Sequence, residues 1–273
     1  MAIFECKMFS KELFSSVSVN VILPTPESGD AFFGTTTLYP KEGQKYQTLY
    51  LLHGFTADFS DWQRFSSIER YAQAHQLAVV MPSVNNSSYC NLRNGGSYYN
   101  YYLDELPAQM RAIFPLSAKR EHNFVAGLSM GGFGTLKAAF TRPEQFAAAA
   151  SLSGGVAGRK PGEETTTRSP IQTDKWKAAS YGPNGEYFDP ATDDLRTASK
   201  NLVQSGKKAP KLYIACGTED FLYQANLELK DYLLGLGLDV TYEEGPGRHD
   251  MAFWDKYIER VLNWLPLTGG FVN

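Results

Sequence analysis

The sequence predicts an α/β fold, built on a mainly parallel sheet with helices on both faces. Three observations carry this expectation. Short continuous apolar runs such as "YLLHG", "LAVVMP" and "LYIACG" recur along the 273 residues and stop at Gly or Pro, as buried strands do. Segments of helical spacing follow most of them, and that alternation places parallel strands between two layers of helix. No stretch approaches the ~20 apolar residues of a membrane span.

The elements follow in order. "SVSVNVILP" (16–24) alternates and is rich in β-branched residues, so it predicts an early antiparallel strand. "KYQTLYLLHG" (45–54) ends in a buried run, and "DWQRFSSIERYAQAH" (61–75) has helical spacing at Phe65, Ile68 and Tyr71. "LAVVMP" (77–82) is a strand stopped by Pro82, and a polar loop follows over 83–97. "YYNYYLDELPAQMRAIF" (98–114) is amphipathic, with Leu103, Leu106, Met110 and Ile113 on one side. Pro107 kinks or starts that helix, because proline has no N–H and clashes with the preceding turn. "HNFVAGL" (122–128) is a strand and "GGFGTLKAAFTRP" (131–143) a small-residue helix, and "FAAAASLSG" (146–154) suits the next strand, although its alanines also suit a helix.

Residues 155–209 break the rhythm, being rich in Gly, Pro, Thr and charge. They predict a cap-like insertion with short helices inside one domain that runs over 1–273. The pattern resumes with a strand at 210–217, a helix at 220–237, a strand at 238–245 and a closing helix at 250–265.

Charge and composition exclude several classes. A net charge of −3 argues against nucleic-acid binding, which calls for a basic face. Cys6, Cys90 and Cys216 are few, odd in number and far apart, so they form neither a disulfide framework nor a zinc pattern. No metal or Walker-type phosphate motif is present, and no cofactor is expected. The N-terminal segment "MAIFECKMFSKELFSS" lacks a basic stretch followed by an apolar one, so a cytoplasmic protein with no membrane partner is expected. A homo-oligomer is left open.

The chemistry centres on "GLSMGG" (127–132), where Ser129 sits in G-x-S-x-G between a strand and a helix. That context fits a nucleophile elbow, which holds a serine hydroxyl out of a strained turn. An ordinary strand-to-helix turn has the same spacing, and so, loosely, does a dinucleotide turn. The latter fails here because the third glycine of G-x-G-x-x-G is missing. A serine nucleophile needs an imidazole base and a carboxylate behind it. Of the four histidines only His249 follows Ser129, in the Gly-rich loop "GPGRHD" ahead of the last helix. A solvated loop histidine is the plainer reading, but the order Ser, acid, His favours the base. The acid is expected in "CGTEDF", at Asp220, with Glu219 the runner-up and helix capping its plainer role. Asp189, Asp193 and Asp194 are weaker candidates inside the insertion. Oxyanion donors are expected at the backbone N–H of Met130 and at Phe55, after Gly54. Tyr89, Tyr98, Tyr99 and Trp176 either cover the core or stack on a substrate, with the core favoured.

Taken together, "YLLHGFTADFSDW", "VVMPSVNN", "FVAGLSMGGFGTLKAAF", "CGTEDF" and "GRHDMAFWDKYIERVLNWL" resemble the esterase D group of α/β hydrolases, nearest to bacterial tributyrin esterases. The resemblance runs from about residue 14 to 265 and is weakest over 155–209. It implies an α/β-hydrolase fold, with Ser129 as nucleophile, Asp220 as acid, His249 as base, and oxyanion donors at Phe55 and Met130. It further implies a carboxylesterase for short acyl esters, acetyl to butyryl, acetylated carbohydrates among them. The alternatives on the same machinery are an S-formylglutathione hydrolase or a feruloyl esterase. A non-catalytic binding protein on this fold would lack a triad residue, and none is missing.

Overall fold

Eight strands form one sheet: β1 (Ala2–Ser10), β2 (Ser15–Leu23), β3 (Thr48–Leu52), β4 (Ala78–Pro82), β5 (Asn123–Leu128), β6 (Ala148–Leu152), β7 (Lys211–Gly217) and β8 (Val240–Gly245). The structure is a computed structural model and describes residues 1–26, 28–34, 39–155 and 174–273. The strand order is β1-β2-β4-β3-β5-β6-β7-β8. β1 and β2 are antiparallel, as are β2 and β4, and every later pair is parallel. The central strands β3 to β7 are buried on both faces, which is why they read as unbroken apolar runs and not as alternating ones.

Alternate residues of one strand feed two cores. Leu49 and Leu51 of β3 pack with Trp62, Ile68, Phe253 and Ile258 on one face. Tyr50 and Leu52 pack with Tyr102, Leu106, Met110 and Leu136 on the other. Tyr89, Tyr98 and Tyr99 are buried in that second core, so they cover it and do not offer a stacking surface. The Trp176 side chain lies outside the described residues, as does the structure of 156–173.

A short helix, Ser28–Phe33, and three further elements differ from the sequence expectation. β1 was not foreseen: it lies at the end of the sheet, with Ile3, Glu5, Lys7 and Phe9 exposed on one face and Cys6 and Met8 partly buried on the other. The helix expected over 61–75 is two, Asp61–Phe65 and Ile68–Ala74. Ser66 turns extended between them, and Asp255 accepts the Ser67 N–H at 2.7 Å. The helix over 98–114 contains a π turn, Tyr101–Glu105, just before the α segment Leu106–Ile113. Pro107 explains it, since its ring cannot donate to the turn behind and the ladder widens there. Ile113 is exposed at the helix end and does not join the apolar side.

The described part of the insertion carries helices Asp174–Tyr181, Pro190–Asp193 and Leu195–Gln204. Asp189 and Asp194 cap the last two, accepting from Ala191 N–H and Arg196 N–H at 3.0 Å each. Asp193 turns inward and takes Lys137 Nζ at 2.6 Å, in a pair that is almost wholly buried. The Cys90 thiol is 3.1 Å from the same ammonium and 3.3 Å from the Tyr181 hydroxyl. Burial pushes the Lys137 ammonium toward neutrality, but Cys90 and Asp193 outweigh it and hold the ammonium charged above the usual lysine range. These three aspartates therefore serve the insertion, and none of them bonds a histidine.

Asp193→Ala strands a buried ammonium, and the expected cost is about 3–5 kcal/mol. Urea unfolding measures it. The pair of changes Lys137→Met and Asp193→Leu is expected to recover most of that loss, since an apolar pair leaves no orphan charge.

Candidate active site

The C-terminal ends of the parallel strands share one edge of the sheet, where such folds gather their ligands. β3 delivers His53–Phe55, β5 delivers Ser129, β7 delivers Asp220, and the loop after β8 delivers His249.

Ser129 stands between β5 and helix Met130–Thr141 with φ 52° and ψ −116°. Non-glycine residues rarely adopt a positive φ, and this turn is the strained form that a nucleophile elbow requires. The flanking glycines make room for it. A Cβ on Gly127 would lie 2.5 Å from the Gly131 backbone, and one on Gly131 would lie 2.4 Å from the Leu52 carbonyl oxygen. Ser129 N–H donates to the Leu152 carbonyl at 2.9 Å, tying the elbow to β6.

His249 Nε2 is 2.9 Å from Ser129 Oγ, and its Nδ1 is 2.8 Å from Asp220 Oδ2. An ionised carboxylate only accepts, so Nδ1 carries the proton and Nε2 is the free lone pair facing the serine. The imidazole is held between the rings of Phe221 and Trp254, at centroid distances of 4.6 and 4.9 Å. The Asp220 side chain is fully buried. Burial alone would push its carboxyl up. The hydrogen bond and charge of His249, the Leu222 N–H and the Ser153 hydroxyl outweigh burial and hold it below the ordinary aspartate range.

Glu219, the other acid in that loop, faces the opposite way and accepts the Gly247 N–H. It braces the loop that carries His249, and it makes no bond to the ring. The close approach of β7 to that loop needs a glycine too: a Cβ on Gly217 would meet the Gly247 carbonyl oxygen at 2.2 Å. Asp250 caps the last helix by accepting the Phe253 N–H at 3.1 Å, which fixes the residue after His249.

Met130 is the first residue of its helix, where a backbone N–H has no intrahelical acceptor. Phe55 follows Gly54, and a Cβ on Gly54 would come within 2.5 Å of Leu128, so the two expected oxyanion segments lie against each other. His53 organises that loop. Its Nε2 accepts the Val84 N–H at 3.0 Å, so its Nδ1 donates to the Gly54 carbonyl at 2.7 Å. Burial pushes this ring below the ordinary histidine range, which keeps it neutral and suited to accept. His75 and His122 bond Tyr71, Asn263 and Ser117, away from Ser129. Among the described residues no group of three or more His, Cys, Asp or Glu could hold a metal ion.

Sequence reasoning missed Ser153. It lies just after β6, fully buried, with φ 46°. Its hydroxyl accepts from Trp254 Nε1 at 3.0 Å and lies near enough to Asp220 to favour the ionised carboxylate. Nothing in "SLSGG" separates it from Ser151 two residues earlier, which faces Gly132 and Gly154.

The fold and this hydrogen-bonded serine define a serine hydrolase of the α/β-hydrolase fold. The chain belongs to the Esterase family, whose model, described as "Putative esterase", matches residues 15–265. An acetyl esterase of Caldicellulosiruptor saccharolyticus is 31% identical over 97% of this chain and 98% of its own length. A fluorophosphonate-binding serine hydrolase of Staphylococcus aureus superposes with a TM-score of 0.83 and 38% identity, covering 97% of this chain and 98% of that one. A Staphylococcus aureus structure described as an S-formylglutathione hydrolase gives 0.80 and 39%, again over 97% and 98%. These matches fit the esterase D resemblance, and the protein is a carboxylic ester hydrolase.

Ser153→Gly is expected to lower kcat roughly 2–10-fold with KM unchanged, because a modest interaction that favours the ionised Asp220 is worth about 0.5–1.5 kcal/mol. Glycine accepts φ 46° without strain, so the backbone is spared. Steady-state kinetics on a chromogenic ester separates the two parameters.

Proposed function

We propose that the protein is a serine carboxylesterase acting on short acyl esters, acetyl to butyryl, acetylated carbohydrates among them. The observation that carries this reading is the continuous hydrogen-bonded chain Ser129–His249–Asp220. His249 Nε2 takes the Ser129 proton as Oγ attacks the ester carbonyl carbon. The imidazolium is stabilised by the ionised Asp220. Backbone N–H groups of Met130 and Phe55 hold the tetrahedral oxyanion, a role worth about 10²–10³ in turnover per donor. The C–O bond to the alcohol then breaks, and His249 returns its proton to the departing oxygen. Water, deprotonated by the same imidazole, attacks the acyl–serine ester, and collapse of that adduct frees the acid and restores Ser129. Ser129 and His249 touch the reacting atoms, whereas Asp220 acts through His249.

The short-acyl preference is supported by the 31% identity to an acetyl esterase and by the polar character of 155–209. A second reading, hydrolysis of S-formylglutathione, is supported by the 39% identity to the Staphylococcus aureus structure so described. Both use one mechanism, and they part at the leaving group. Comparison of kcat/KM for S-formylglutathione with that for p-nitrophenyl acetate and acetylated sugars decides between them.

Ser129→Ala is expected to fold normally and to keep less than about a thousandth of the activity, the residue coming from oxyanion and binding contributions. Labelling by a fluorophosphonate probe is expected to vanish in that variant. Equal labelling of variant and wild type would remove Ser129 from the mechanism.

A series of p-nitrophenyl esters from acetate to palmitate, run below micelle-forming concentrations, reads the acyl site. Each buried methylene adds about 0.8 kcal/mol, so a deep apolar tunnel would make kcat/KM climb steadily. The expected profile peaks by butyrate and falls by octanoate. A rise past octanoate would point to a lipase-like site.

A further inference from the structure

We propose that β1 is the seam of a two-fold homodimer, in which two copies pair their β1 strands antiparallel about Cys6. β1 ends the sheet, and all nine of its residues are in register with β2. Among the described residues no strand pairs with its outer edge. Proteins usually protect such an edge by shortening it, bending it or covering it. Here it is long and carries exposed apolar side chains. Phe9 is 55% exposed and packs on Phe14 at the hairpin tip, itself 87% exposed. Phe4 is 41% exposed and packs on Phe114, next to the exposed Ile113.

The charges choose the occupant. Glu5 and Lys7 are the two charged residues of "AIFECKMFS", two positions apart on the same face. A lysine on an edge strand commonly repels a second strand. Pairing about Cys6 removes that repulsion, because each Glu5 then lies opposite Lys7 of the second copy. Phe4 meets Met8 and Ile3 meets Phe9 in the same register, so apolar residues also match. The neighbouring symmetric registers fail. Centring on Glu5 sets the two glutamates against each other, and centring on Lys7 does the same to the lysines, and like charges directly opposite are destabilising. The strand is thus self-complementary in one alignment. At its end the Gln109 side-chain amide already donates to the Phe9 carbonyl at 3.2 Å, which confines the new ladder to the middle of the strand. The exposed Phe14 and Ile113 flank the strand and widen the contact toward the ~1,200 Å² and above that stable interfaces bury.

Light scattering after size exclusion, with a dilution series, tests this on the full chain. Wild type is expected to be a dimer. Glu5→Lys sets lysine against Lys7 and is expected to raise the dimer dissociation constant about tenfold or more, given two such pairs per dimer. Combining it with Lys7→Glu reverses both charges and is expected to restore the dimer. A short bismaleimide is expected to link wild-type chains through Cys6 and to fail with Cys6→Ser, since Cys90 and Cys216 are buried. Esterase activity, expected to be kept in all these variants, reports that they fold. A monomeric wild type at tens of micromolar overturns the proposal. So does a dimer indifferent to Glu5→Lys, or a dimer that Cys6 does not cross-link.

Discussion

The left-handed backbone of Ser129 is the constraint on which the rest of the site depends. A residue at φ 52° is costly to hold, and it persists only where the surroundings leave the chain no alternative. Here the surroundings are the ends of β3 and β6. Gly131 lies against the Leu52 and His53 carbonyls, and Gly132 against Ser151 and Gly154, so the helix start is pressed onto its neighbouring strands. That contact does two things at once. It aims Oγ away from the sheet toward His249, and it brings the start of the helix beside the loop that carries Phe55. Because β3 and β5 are adjacent in the sheet, the serine and the loop at 53–55 are neighbours by topology. His53 then spends both ring nitrogens on fixing that loop, which is why a histidine so near the serine does not bond it.

The members of the hydrogen-bonded chain were legible in the sequence for a chemical reason. A serine hydroxyl needs a base, and only one histidine follows Ser129. The fold was legible because strands buried on both faces leave runs with no other plausible use. Direction within a loop was harder to read. Glu219 and Asp220 are adjacent, and the sequence does not say which carboxylate turns inward. The structure separates them by burial and partner: Asp220 is sealed against His249 and Ser153, whereas Glu219 reaches out to a backbone N–H. β1 escaped because its alternation, Phe4 to Met8, is short and is blurred at both ends by Ile3 and Phe9 on the charged face. Ser153 escaped because a supporting hydroxyl has no motif of its own. Its only mark is the positive φ, which belongs to coordinates and not to composition.

The support around Asp220 shows how a carboxylate can remain charged in a dry place. Two donors bond it, the His249 ring and the Leu222 N–H, and the nearby Ser153 hydroxyl also favours the charged form. Trp254, on the last helix, in turn holds Ser153 from behind and lies edge-on to the His249 ring. One tryptophan therefore touches both Ser153 and the His249 ring. Cys216, beside this network, has its thiol pushed far up by burial, so it stays neutral and adds no competing charge.

Helix Met130–Thr141 links this chemistry to the insertion. Every residue from Met130 to Phe140 is buried, so the helix behaves as a core element and has no solvent face on which to place a charge. Lys137 sits in its middle nonetheless. A buried ammonium needs a partner, and the helix's own sequence contains no acid. The partner is Asp193, which comes from the insertion, with Cys90 of the loop at 83–97 completing the contact. The helix whose first residue follows Ser129 is thus satisfied only when the segment carrying Asp193 has folded onto it. A segment that merely lay on the surface would need no such tie. This one supplies the charge that Lys137 requires when its helix is buried.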